Sequence, residues 1–292
     1  MHSPNESYFA YLKQLDLVGF EERARDFWGS PPRGDEEVYS RFLEVVTPPG
    51  GQGSAVYVTS LAYPSGHVMW RARRLERVST LPIQGMNRES DLWEAPANRV
   101  RHRGRLNAVG ESVLYCSVGD AVVAMVEARV PSGACFALIR YETTRNVTLT
   151  SIASDSIPDG LPDDLREAHR AVVAFGRDIF TKEFDGHDQL TYVLSNRLAK
   201  DSFDLPEQLV DGWSFPSVAR GRGVNAALRP AKAHDALRVS GVVCCTAIDS
   251  ALLGPQIQGH LFSPGPEEGH ADFRWSQMGS VVQDKLFPEF RA

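Results

Sequence analysis

Between Gly104 and Cys116 the chain reads Gly-Arg-Leu-Asn-Ala-Val-Gly-Glu-Ser-Val-Leu-Tyr-Cys, and Glu127 follows on the next predicted element. The run is a glycine-flanked arginine loop, a short strand ending in an aromatic, then a helix with one carboxylate among Ala, Val and Met. Arg105 can grip phosphate through paired N–H donors. Gly104 and Gly110 let backbone approach a ligand. A carboxylate stabilises positive charge that develops beside it. A cation, an aromatic face and an anion around one cleft suit a dinucleotide whose ribose becomes cationic.

Each of these residues also has a plainer reading. Arg105 shares its stretch with Arg99, Arg101 and Arg103, so it fits a solvated basic loop. Tyr115 fits a core position. Glu127 follows Ala121-Val122-Val123-Ala124-Met125-Val126, where burial is expected, and a buried carboxylate is costly unless paired or functional; Arg129 is its simplest partner. Ser217 follows Pro216, which biases Phe215 away from helical geometry and presents the serine at a bend. No Gly-x-Ser-x-Gly surrounds it, so nothing marks a nucleophile elbow. Arg220, Arg222 and Asn225 could reach phosphate or ribose oxygens. The four cysteines, Cys116, Cys135, Cys244 and Cys245, form no C-x-x-C pair. They read as buried small hydrophobes of a reduced compartment, without histidines at zinc-ligand spacing.

These residues must be positioned by the elements around them. Residues 7–28 carry a helical pattern broken near Val18-Gly19, and Val38–Val46 form another short helix. Thr47-Pro48-Pro49-Gly50-Gly51-Gln52-Gly53-Ser54 is the clearest linker. Strands are expected over 66–75, 113–116, 136–142, 147–152 and 238–248. The polar stretch 82–104 suits a long functional loop. Ser117 with Asp120 reads as a capping box opening a helix over 118–128. Further helices run from Pro162 to about Phe180 and over 188–200, and 212–217 is extended. Strands and helices without strict alternation indicate an α+β fold, not a doubly wound sheet. The chain divides into a helical extension and linker (1–54), a main domain (55–250) and a C-terminal tail packed on it (251–292).

Composition narrows the function classes. With 42% hydrophobic and 23% charged residues the 292-residue chain is an ordinary globular protein. Its net charge of −6 argues against general nucleic-acid or membrane-surface binding. No apolar run approaches a membrane span, and the N-terminus lacks signal-peptide character, so a cytoplasmic location is expected.

Together, WRAR (70–73), GRLNAVGESVLYC (104–116), the Glu127 helix and DGWSFPSVARGRGVNAAL (211–228) resemble the RES domain, over roughly residues 67–230. Leu106 stands where that family often has Trp or Met, and Ala108 where Pro is common. The resemblance implies an ADP-ribosyltransferase-like fold of mixed sheets with flanking helices. It implies an enzyme that cleaves the nicotinamide–ribose bond of NAD, as a toxin held by a helix-turn-helix antitoxin, with NAD as substrate and no other cofactor or metal. On this basis Arg105, Glu127 and Ser217 are the catalytic candidates. Arg71, Arg73, Asn107, Tyr115 and Asn225 are the NAD-binding candidates, with Tyr115 flanking the nicotinamide and Ser217 bonding the nicotinamide or its ribose. Protein ADP-ribosylation, a non-catalytic module held by an ion-pair network, and self-association stay open.

Overall fold

The computed structural model describes residues 4–30, 34–48, 56–75, 86, 88–182, 190–217, 223–265 and 273–290. Arg220, Arg222 and most of the Pro/Gly linker therefore lie outside the described residues. The chain opens with helices α1 (Pro4–Gln14), α2 (Leu17–Gly29) and α3 (Asp35–Val46). The first two separate at Leu15-Asp16, a turn earlier than the Val18-Gly19 break expected, because Gly19 is tolerated inside α2. Strands β1 (Thr59–Tyr63), β2 (Val68–Arg74) and β3 (Leu114–Val118) follow. Between β2 and β3 the expected long loop carries two short 3-10 turns, at Glu89–Leu92 and Ala97–Arg99.

Helix α4 (Ala121–Glu127) is shorter than expected and starts later. Asp120 caps it, its carboxylate accepting from the backbone N–H groups of Val122 (2.8 Å) and Val123 (3.2 Å). Ser117 is still in β3, so the capping box expected from Ser117 and Asp120 does not form; its hydroxyl donates instead to the Asp120 carbonyl. Strands β4 (Cys135–Thr143) and β5 (Val147–Ser151) lead into α5 (Arg166–Thr181) and α6 (Leu190–Asp201). Strands β6 (Gly212–Pro216) and β7 (Val224–Leu228), helix α7 (Pro230–Ala236), β8 (Leu237–Ser250), β9 (Gly254–Ser263), β10 (Ser276–Gln277) and α8 (Val281–Leu286) complete the chain.

Among the described residues, ten strands join one sheet in the order β1-β5-β6-β7-β3-β2-β4-β8-β9-β10, and only the β5–β6 pair is parallel. The fold is thus mixed α and β, a large, mostly antiparallel open sheet flanked by helices. Residues alternate between faces along a strand. In β4, Phe136 and Leu138 enter one cluster with Trp70 and α4, while Ala137, Ile139 and Tyr141 enter another with Met69 and Cys116 on the opposite face. The N-terminal helices share a single core with α5, α6 and β6. Phe20, Phe27 and Phe42 all meet the Phe175 ring, with centroids 5.8, 5.6 and 6.1 Å away. Helix α5 supplies that face through Ala168, Val172, Phe175 and Ile179, all buried at helical spacing. Beyond residue 250 the chain continues the same sheet as β9 and β10.

One feature of the ladder creates the cavity. Strands β2 and β3 pair only at Met69–Val118 and Trp70–Ser117. Past that point β2 goes on pairing with β4 as far as Arg74, and β3 with β7 as far as Leu114. The sheet therefore forks, and the two arms diverge from Arg71 on one side and Cys116 on the other.

Candidate active site in the fork of the sheet

The fork opens a cleft of about 510 Å³ lined by Arg71, Ala72, Tyr115, Cys116, Glu127 and the loop 100–105, among others. That is an ordinary size for a small-molecule site. Six of the eight residues expected from the sequence line it: Arg71, Arg105, Asn107, Tyr115, Glu127 and Asn225. Arg73 and Ser217 do not. Arg73 instead donates to the Asp91 carbonyl at 2.8 Å and lies 3.6 Å from its carboxylate.

Ser217 is buried at the end of β6, and its Oγ donates to Glu127 Oε1 at 2.5 Å. The hydroxyl expected to touch ligand is thus spent on the carboxylate. Glu127 is half-buried, not buried as the surrounding apolar residues suggested, because it is the last residue of α4 and turns toward the cleft. The C-terminal end of a helix is the negative end of its dipole, so an anion there needs donors such as Ser217. The tight approach of β6 to α4 depends on Gly223: a Cβ there would lie 2.8 Å from a Val123 methyl and 2.9 Å from Ser217 Cβ.

Arg105 is 8% exposed. Its Nη2 donates to the Lys182 carbonyl at 2.9 Å, the guanidinium lies 5.4 Å from the Tyr192 ring centre, and the Arg105 carbonyl accepts from Ser195 at 3.0 Å. Nη1 is buried without a hydrogen-bond partner among the described residues. Burial lowers the guanidinium's pKa, and the nearby Tyr192 and Glu127 oppose that shift. The Arg71 side chain, on the facing arm, forms no hydrogen bond or ion pair among the described residues, and its Nε is buried. Buried donors without partners are rare and call for an acceptor.

Tyr115 and Asn107 shape the loop. The Tyr115 hydroxyl accepts from the Leu106 N–H and donates to Asn107 Oδ1, both at 2.9 Å. Burial raises its pKa, outweighing the Leu106 hydrogen bond. Asn107 Nδ2 donates to the Ala108 carbonyl at 3.0 Å. Gly104 is required for this knot, since a Cβ there would lie 2.2 Å from Asn107 Oδ1. The ring of Tyr115 still forms one wall of the cleft. Cys116 lines the floor, with burial pushing its thiol up to about 12 against the opposing pull of Arg71, so it is no nucleophile near neutral pH.

From the sequence alone Arg101 and Arg103 read as the solvated side of a basic loop and His102 carries no signal of its own, yet all three line the cleft. The only signal for them was their adjacency to Gly104. Arg103 pairs with Asp35 of α3 at 3.0 Å. Glu111 pairs with Lys200 and accepts from the Ala108 N–H, leaving Glu127 as the carboxylate turned into the cleft. Among the described residues no helix is long and apolar enough to cross a membrane. Comparison with protein-family models, curated proteins and solved structures gave no match.

Proposed function

We propose that the cleft binds NAD and that the chain cleaves the nicotinamide–ribose bond, in the manner of the RES-domain and ADP-ribosyltransferase-like enzymes its sequence resembles. The observation that carries this reading is the pairing of under-satisfied guanidinium groups, buried on Arg105 and half-buried on Arg71, with a single serine-held carboxylate across a forked sheet. Arg71 and Arg105 take the pyrophosphate from the two arms. The Tyr115 ring bounds the nicotinamide end. The glycosidic bond breaks with its electron pair going to the nicotinamide nitrogen, which cancels the ring's positive charge and leaves the cation on ribose C1′. Glu127 stabilises that cation more than the ground state, which is the condition for lowering the barrier. An acceptor then adds at C1′ and gives up a proton. Ser217 is a positioning residue, acting through Glu127. We further propose that such an activity is toxic to its cell and is restrained by a helix-turn-helix partner.

The test is incubation of the purified chain with NAD, counting free nicotinamide and labelled protein. Nicotinamide release without protein label supports NAD degradation. Label on protein assigns ADP-ribosyl transfer to the same cleft. Neither signal overturns the reading and leaves the cluster as an internal polar network.

A further inference from the structure

We infer that the mouth of the cleft recognises a third phosphate, so that the favoured substrate is a nicotinamide dinucleotide bearing an extra ribose phosphate, the NADP class. This rests on the dinucleotide reading of the cleft and adds the substituent that sets its preference.

The charges of cleft and ligand match from the floor outward. A dinucleotide pyrophosphate carries two negative charges, and the inner cleft holds Arg71 and Arg105 to meet them. Of the remaining charged or ionisable groups of the lining, Glu127 is held by Ser217 for the ribose, Arg103 is taken by Asp35 and Glu111 by Lys200. Arg101 and His102 are left. They are exposed, adjacent in the chain, both part of the cleft wall, and neither has an ion-pair or hydrogen-bond partner among the described residues. In a chain of net charge −6, an unpaired guanidinium beside an unpaired imidazole at one cleft mouth does not follow from composition.

The pair is also held in place. The Gly110 N–H donates to the Val100 carbonyl and the Gly104 N–H to the Asn107 carbonyl, both at 3.0 Å, so backbone bonds fix the loop on either side of it. NAD would leave the two side chains facing water. A phosphate monoester brings a charge of about −1.5 to −2 and three strong acceptor oxygens, which they can meet with charge-assisted hydrogen bonds.

The experiment is calorimetric titration of the full chain with ADP-ribose and with 2′-phospho-ADP-ribose, neither of which carries a bond to be cleaved. The 2′-phosphate should bind about tenfold more tightly at low salt, an advantage that shrinks as salt rises because exposed charges are screened. The Arg101→Gln/His102→Gln double variant should abolish this ratio. Arg99→Gln removes a charge from the same loop but outside the cleft, and should retain the ratio. Equal binding of the two probes, or a ratio that survives in the double variant, overturns the inference while leaving the NAD reading intact. If neither probe binds, both fall.

Discussion

Ser217→Ala offers the sharpest test of the site, because the hydrogen bond it removes is well defined and the serine lies outside the cleft. Ser217 Oγ donates to Glu127 Oε1 at 2.5 Å, a bond from a buried hydroxyl to a half-buried carboxylate. Hydrogen bonds to charged groups contribute about 1.5–3 kcal/mol. At about 1.4 kcal/mol per factor of ten, the loss corresponds to about a 10- to 150-fold fall in kcat if the bond serves only to hold the carboxylate for the transition state. KM for NAD should change little, since the hydroxyl does not line the cleft. Nicotinamide release under initial-rate conditions measures both constants. The decisive comparison is a double-mutant cycle with Glu127→Gln. A serine that acts through the carboxylate has little left to lose once the charge is gone, so the double variant should be scarcely worse than Glu127→Gln alone. Additive losses, or a Ser217→Ala effect confined to KM, would refute the reasoning and restore Ser217 as a direct ligand contact.

The two arginines of the cleft should separate binding from stability. Arg71→Gln should raise KM for NAD about tenfold or more with the melting temperature unchanged, because Arg71 has no protein partner to lose among the described residues. Arg105→Lys should raise KM and also lower the melting temperature, since it gives up the bond to the Lys182 carbonyl and the Tyr192 contact; if both variants melt like the wild type, Arg105 does not hold the wall together. Phe175→Ala should destabilise the fold by about 3–5 kcal/mol in urea unfolding, as it removes the ring on which Phe20, Phe27 and Phe42 converge; a separate early transition for residues 1–48 would contradict the shared core. His169 is buried, which lowers its pKa despite a backbone hydrogen bond to Ser156, and its Nδ1 meets the Tyr8 hydroxyl at 2.8 Å. The unfolded chain then binds the extra proton first, so stability should fall as pH drops below about 6.5 and level off once the folded imidazole also protonates. In His169→Gln that acid slope should flatten, and an unchanged slope would assign it to other groups.

The parts of this fold that could be read from sequence are those whose burial imprints a period. Helix α5 shows its apolar stripe, β4 and β8 show the apolar runs of strands covered on both faces, and β5 shows the alternation of Val147 and Leu149 with threonines. Strand β1 left no such mark, with three of its five side chains exposed, and neither did β9, whose first eight residues are partly or fully exposed. Ser117 and Asp120 had the spacing of a capping box, but tertiary pairing of Ser117 with Trp70 and Asn225 kept it in β3. In the site, Arg105, Tyr115 and Glu127 were legible because a basic residue between glycines and a carboxylate in an apolar run are both locally conspicuous. The contact of Arg73 with Asp91 was not legible, since spacing alone cannot reveal that Asp91 lies in reach. The Asp211-Gly212 step, taken as a flank of the serine motif, has its own packing role. Asp211 accepts from Arg145 at 2.8 and 3.1 Å, and a Cβ on Gly212 would lie 2.1 Å from the Ala227 carbonyl. The fork itself was invisible, because it is defined by where two strands stop pairing.

That fork gives the sheet the mechanics of tongs. Tyr115 and the Arg105 loop belong to the jaw built on β3, while Arg71 and the α4 carboxylate ride on the jaw built on β2. The pivot is two residue pairs long, at Met69–Val118 and Trp70–Ser117. A small change of angle there is magnified toward the tips, so the separation of Arg105 from Arg71 and the carboxylate depends on backbone bonds that no catalytic side chain makes. Substitutions that loosen Trp70 or Ser117 should therefore blur the alignment of the cleft while the sheet, held by a core that joins Met69 and Ile139 of one jaw to Cys116 and Ala226 of the other, stays folded.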